Sequence, residues 1–182
     1  MPLNPESDLP AIIEGCRKKK RGSQHVLYQI YYGYGMSIAV RYVKEENEAI
    51  SIVNDAFMKV FRNIRSFDEQ RAFKPWFRKI VVNTAINHVT SKKKYRLEFN
   101  MEQEEMASNQ ENILSQIAYR ELVALVQSLS VAYRTVFNMY VLDGFSHKEI
   151  AQELDITVST SKANLARARA KLREKLSAKI NV

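Results

Sequence analysis

The sequence predicts an all-α protein of two small helical domains joined by a flexible acidic linker, and three observations carry that reading. Gly and Pro are scarce, 5 and 4 in 182 residues, which leaves few positions for tight turns. Apolar residues recur at threes and fours through most of the chain. Residues 97–111, LEFNMEQEEMASNQE, hold five acids, no base and little periodicity, which is the composition of a linker. With 46% hydrophobic residues, each half is large enough to build a small core of its own.

The elements follow in order. Leu9 to Lys19 reads as a short first helix, ending in the basic run RKKKRG at 17–22, a solvated helix end with no site status of its own. From Ser23 to Lys44, Val26, Leu27, Ile30, Tyr31, Tyr34, Ile38 and Val43 have helical spacing. Gly33 and Gly35 interrupt it, so a kink or a close helix contact is expected there. Glu46 to Ile64 is a cleaner helix, with Ile50, Val53, Phe57, Val60, Phe61 and Ile64 on one stripe. SFDEQRAFKP at 66–75 reads as a loop, and Pro75 suits the first turn of a helix running to about Ser91. After the linker, Asn112 to Leu129 and Val131 to Leu142 are helical, and Asp143-Gly144 breaks the pattern. The domains are therefore expected at 9–96 and 113–182, with the linker at 97–112 leaving them free to move relative to each other.

Composition narrows the function. A formal charge of +8 and a pI near 9.5 favour polyanionic partners. Cys16 is the single cysteine, which rules out a disulfide framework and a Cys-based zinc site and suits a reducing cytoplasm. The opening MPLNPESDLP lacks a signal-peptide pattern, and no apolar run approaches the roughly 20 residues of a membrane span. His25, His88 and His147 are scattered without metal-ligand spacing, and no phosphate loop or nucleophile motif occurs, so no cofactor and no enzymatic activity are expected.

Residues 146–172, SHKEIAQELDITVSTSKANLARARAKL, have the form of a helix-turn-helix. Ala151 supplies the small side chain that a close helix crossing needs, and Ile150, Leu154, Ile156 and Leu165 are the apolar seats around it. Asp155 stands at the turn, where a left-handed backbone is tolerated by Asp, and Thr157 or Ser159 can cap the second helix. On a wheel of about 100° per residue, Val158, Ser161, Leu165, Ala168, Leu172 and Leu176 form the inward seam. Thr160, Ala163, Asn164, Arg167 and Lys171 lie together on the outward face. Asn pairs with adenine edges, Arg with guanine or phosphate, and Lys with phosphate, so this face suits the major groove.

A second basic surface lies in the N-terminal half. Between Arg71 and Arg96 there are eight Lys or Arg residues and no acid. Trp76, Lys79, Asn83, Asn87, Thr90 and Lys94 share one face, with Phe77, Val81, Thr84, Ala85 and His88 opposite. An aromatic ring beside cations and amides suits opened DNA, whose bases can stack while phosphates meet the charges. The loop from Phe67 to Lys74, with Arg71 and Lys74, can hold an extruded base. The bland alternative is a core Trp76 with solvent-facing charges.

Taken together, the two halves resemble an extracytoplasmic-function (ECF) sigma factor of bacterial RNA polymerase, in the sigma-seventy family. The resemblance rests on ISIVNDAFMKVFRNI and WFRKIVVNTAINHV for region 2, and on LSVAYRTVFNMYVLDGFSHKEIAQELDITVSTSKANLARARAKL for region 4. It implies a non-enzymatic initiation factor that directs core polymerase to promoters. Region 4 would bind the −35 element through Thr160, Lys162, Ala163, Asn164, Arg167 and Lys171. Region 2 would bind and melt the −10 element through Arg71, Lys74, Trp76, Lys79, Asn83 and Asn87. Asn54, Asp55 and Phe57 would dock on the β′ clamp helices, with the β flap as a further polymerase contact and an anti-sigma protein as a partner that family members often have. Three departures stand out: Ile50 and Ser51 replace a frequent acidic pair, Asn164 a frequent arginine, and Ser161 a usual valine.

Two other readings fit parts of the chain. A helix-turn-helix regulator with an N-terminal ligand-sensing domain would bind duplex DNA alone, without polymerase. An enzyme acting on nucleic acid would need the catalytic constellation that the scattered histidines do not supply.

Overall fold

A computed structural model describes residues 8–98 and 114–180, with side chains over 8–91 and 119–178. Most of the linker stretch, the start of the following helix at Asn112 and the side chain of Lys94 lie outside the described residues. Among those described, the elements are helices, with no strand. The chain folds as two compact units, Met1–Ala85 and Ile86–Val182.

In the first unit, α1 spans Leu9–Arg17, α2 Arg21–Ala39 and α3 Glu46–Asn63, followed by a 3-10 turn at Ile64–Ser66. Pro10 sits in the first turn of α1, where its missing N–H costs nothing. The helix buries Ile12, Ile13, Gly15 and Cys16, the threes and fours of one face. It ends in a nested pair of backbone bonds, Lys20 N to Gly15 O and Lys19 N to Cys16 O, both 2.9 Å, with Lys19 at φ 57°. Gly15 is required by close approach, because an added Cβ would stand 2.7 Å from Ser23 Cβ.

The expected interruption of α2 is not a kink. The helix runs unbroken, and Gly35 instead makes a close contact: an added Cβ would lie 3.2 Å from Val53 Cγ1 and 3.3 Å from Phe77 Cζ. Gly33 faces open space. In α3, Glu46 and Glu48 occupy the first turn, where acids favour the helix dipole. The buried stripe is Ala49, Ile52, Val53, Ala56, Phe57 and Val60.

Helix α4, Phe73–Glu98, begins two residues earlier than Pro75 and runs seven residues beyond Ser91. Phe77, Val81, Thr84 and Ala85 are buried as expected. Phe77 joins an aromatic core with Phe57 at 4.9 Å and Tyr31 at 5.8 Å between ring centroids. Lys59 Nζ donates to Thr84 Oγ1 at 3.0 Å, tying α3 to α4 through a polar bond at the core's edge.

The second unit carries α5 (Leu114–Gln127), α6 (Val131–Phe137), α7 (His147–Leu154) and α8 (Val158–Ile180). The single helix expected to end at Leu142 is α-helical only to Phe137 and then widens to a π-helical turn, Asn138–Leu142. Gly144, at φ 79°, ends the segment at the Asp143-Gly144 break. Leu129, Ala168 and Leu172 form a core cluster joined by Leu125, Tyr133 and Phe137, so α8 is anchored along α5 and α6.

Candidate nucleic-acid interfaces

The helix-turn-helix is built as its residues require. Ser146 caps α7 through a reciprocal box: Glu149 N donates to Ser146 Oγ at 3.2 Å, and Ser146 N to Glu149 Oε2 at 2.8 Å. Asp155 takes the left-handed conformation, φ 50° and ψ 53°, at the turn. Thr157, not Ser159, caps α8, accepting Thr160 N at 3.0 Å. Ser161, Leu165, Ala168 and Leu172 are buried as the seam requires, while Val158 and Leu176 at its ends are 40% and 41% exposed.

On the outer side of α8, Thr160, Ala163, Arg167 and Lys171 are exposed. The Thr160 hydroxyl is 2.8 Å from Thr157 Oγ1, so it is shared with the cap. Lys162 is exposed on a different flank, where its charge acts on His147 together with that of Arg169. Asn164 does not lie on the outward face: it is only 9% exposed. It stands three residues after Ser161 and four before Ala168, both buried, so it borders the seam and α8 turns it inward.

His147, which spacing alone gives no role, is part of this unit. Its Nδ1 lies 2.9 Å from Ser161 Oγ, and its ring stacks on Tyr140 at 4.4 Å. Burial first, then Lys162 and Arg169, hold its pKa below the ordinary histidine value. The serine in place of a usual valine therefore has a polar partner. Spacing gives no signal for this bond, since it joins polar atoms on two different helices.

The second surface follows α4. Trp76 is half-buried, with its ring 5.0 Å from Phe67 and 5.6 Å from Phe73. It is thus braced by two rings while staying partly exposed. Lys79 and Asn87 are exposed and Asn83 is half-buried. Lys74 Nζ lies 4.6 Å from the Tyr34 ring centroid. The Arg71 side chain is 83% exposed, with Asp68 Oδ2 3.4 Å from its Nε. The loop before α4 is turned by Asp68, whose Oδ1 accepts Gln70 N and whose carbonyl accepts Arg71 N, both at 3.0 Å.

On α3, Asn54 and Asp55 are exposed, and Asn54 Oδ1 accepts the Tyr28 hydroxyl at 3.0 Å. Phe57 cannot dock on a partner, being 2% exposed. It sits four residues after Val53 and three before Val60 on the apolar stripe, and its ring packs 4.7 Å from Tyr28. The open apolar residue beside Asn54 and Asp55 is Met58, 53% exposed, which falls outside the periodic stripe and so carried no signal in the sequence.

Comparison with known proteins agrees with this arrangement. The family model "Sigma-70 region 2" matches residues 27–95, and "Sigma-70, region 4" matches residues 119–172. The chain is 28% identical over 170 residues to the ECF RNA polymerase sigma-E factor of Escherichia coli K12, covering 87% of this chain and 88% of that protein. It is 24% identical over 180 residues to the ECF RNA polymerase sigma-E factor of Haemophilus influenzae, covering 91% and 94%. A solved structure of the sigma factor RpoE from Bartonella quintana, in complex with the anti-sigma factor NepR, shares the fold at a TM-score of 0.53 and 19% identity, covering 84% of this chain and 96% of that one. Region 2 and region 4 stand in order on one chain, and the protein belongs to the sigma-70 family as an ECF RNA polymerase sigma factor.

Proposed function

We propose that the chain directs core RNA polymerase to specific promoters, with its two cationic faces dividing the work between closed and opened DNA. The observation that carries this division is the Trp76 ring, braced by Phe67 and Phe73 yet half-open beside exposed Lys79, on a unit other than the one bearing exposed Arg167. A stacking platform is of little use on a closed duplex and of direct use on parted strands. The −10 element is engaged through Arg71, Lys74, Trp76, Lys79, Asn83 and Asn87. The −35 element is engaged through Thr160, Ala163, Arg167 and Lys171 from the major groove, with Lys162 on a flank that meets phosphate. Asn164 is left with a supporting role beneath that face.

Asn54, Asp55 and Met58 form the face of α3 that meets the polymerase clamp. The domains run 9–96 and 113–182, with support from family matches that end at residue 95 and begin at residue 119, although the division into compact units falls earlier, between Ala85 and Ile86 within α4. The chain acts in the cytoplasm as a non-enzymatic factor; among the described residues no helix is long and apolar enough to cross a membrane. An anti-sigma protein is a fitting regulator, since RpoE from Bartonella quintana was solved with one.

Transcription in vitro tests this reading. Core polymerase alone should ignore a library of genomic promoter fragments, and addition of the protein should yield transcripts from a defined subset. A purified protein that binds duplex fragments tightly alone, and stimulates no promoter with core, favours an ordinary helix-turn-helix regulator instead.

A further inference from the structure

Arg17 closes α1 and lies outside the stretch that matches region 2. Its guanidinium nevertheless reaches the segment between α3 and α4. Nη2 donates to the Phe67 carbonyl at 2.9 Å, Nε lies 3.5 Å from the Ile64 carbonyl, and Nη1 pairs with the Glu69 carboxylate. All three nitrogens of one planar fork thus meet a single short stretch of chain, which the point charge of a lysine cannot reproduce. The side chain is 23% exposed, so these bonds are partly sheltered from water. Its further ion contact, Glu14 Oε2 at 3.7 Å, stays within α1. The neighbouring Lys19, Lys20 and Arg21 are exposed, so one residue of the basic run is set apart from the rest.

Phe67 is held from two sides. Its ring packs 5.0 Å from Trp76 and 5.5 Å from Phe73, while its carbonyl accepts from Arg17. Residues 68–72 then emerge as an exposed turn from this fixed point. The direction in which the turn leaves is therefore set jointly by Trp76 and Arg17.

We propose that Arg17 is a positioning residue for −10 recognition: it fixes the 68–72 turn relative to the Trp76 ring, so that an extruded base meets both in one register. The inference rests on the reading above that this loop and Trp76 engage opened DNA. Arg17 itself touches no DNA and acts through Phe67 and Glu69.

The test uses the full chain with core polymerase, transcribing a library of promoters randomised across the −10 and −35 elements. Arg17→Ala is expected to reduce discrimination among −10 bases by about 10-fold, as a displacement of an aligned group by a fraction of an ångström does. Discrimination at −35 should be unchanged. Arg17→Lys keeps a charge beside Glu69 and serves where alanine unfolds the domain; the same loss is expected, because an ammonium cannot span all three partners. A folded Arg17 variant with unaltered −10 selectivity overturns the inference, and so does an equal loss at −10 and −35. Gln70→Ala and Arg71→Ala in the same assay test the underlying reading. If they leave −10 selectivity intact, the loop reading fails; if they alter it while Arg17 variants do not, only the role of Arg17 fails.

Discussion

His147 Nδ1 lies 2.9 Å from Ser161 Oγ, joining the first turn of α7 to the buried seam of α8. Ser161 is 0% exposed, and a hydroxyl buried without a partner costs free energy that this bond avoids. Tyr140 stacks on the imidazole, and the Arg169 guanidinium lies 5.9 Å from the Tyr140 ring centroid. The helix that presents Arg167 is therefore braced by polar and aromatic contacts as well as by Leu165 and Leu172.

Burial of His147, first, and the nearby charges of Lys162 and Arg169 give the stability a pH dependence. The folded His147 has a pKa below its ordinary value, so the unfolded chain takes up a proton there more readily. The contribution is complete above about pH 6.5 and is lost as pH falls through the depressed folded value. His147→Asn should flatten urea-unfolding midpoints across that window, and cost about 1 kcal/mol at neutral pH through the lost hydrogen bond. A difference between wild type and variant that is constant with pH removes His147 from this role.

Two glycines of one helix should respond with opposite signs. Gly35→Ala forces a methyl against Val53 and Phe77, and should destabilise by about 1–3 kcal/mol. Gly33→Ala meets nothing within 4 Å and should stabilise by roughly 0.5–1 kcal/mol, as alanine does within a helix. Denaturant midpoints of the two variants check this, and a common sign for both contradicts the close contact at Gly35.

Phe57 and Met58 are neighbours with separable roles. Phe57→Ala opens a cavity in the aromatic core and should cost about 3–5 kcal/mol. Met58→Ser, at an exposed position, should change stability by less than about 0.5 kcal/mol while weakening binding to core polymerase. Unfolding curves and competition for core enzyme read the two effects. Undiminished polymerase binding by Met58→Ser takes that residue out of the docking face.

How far the sequence was legible depended on the kind of physics involved. Helical periodicity located the helices, because burial of threes and fours is a local pattern; α1, α3, α7 and α8 stand close to where it put them. Boundaries were harder: α4 continues past Ser91 because nothing in SKKKYRLE forbids a helix, and the π-helical turn after Phe137 has no periodic signature. The wheel placed Phe77, Val81 and Ala85 inside correctly, yet it misjudged Asn164, because the width of a buried seam is set by the neighbouring helices rather than by the helix itself. Phe57 was read both as apolar stripe and as docking residue, and packing decides for the first. The bonds His147–Ser161 and Arg17–Phe67 were invisible because each joins residues distant in sequence through polar atoms.

Cys16 offers an internal probe of the first domain. Burial pushes its thiol up to about 11, and the residue is 1% exposed. A thiol reagent at about pH 8 should therefore react at least about 100-fold more slowly with the native protein than with the urea-unfolded chain. Rapid stoichiometric labelling of the native form contradicts the packing of α1.

The division between closed and opened DNA is tested most directly by binding of the assembled polymerase to two separate probes, a −35 duplex joined to no −10 element and a single-stranded −10 oligonucleotide. Trp76→Ala should weaken the single-strand probe, by about 1–3 kcal/mol for one lost stacking platform, and leave the duplex probe unchanged. Arg167→Ala should do the reverse. Variants that weaken both probes alike contradict the claim that each face serves its own form of DNA.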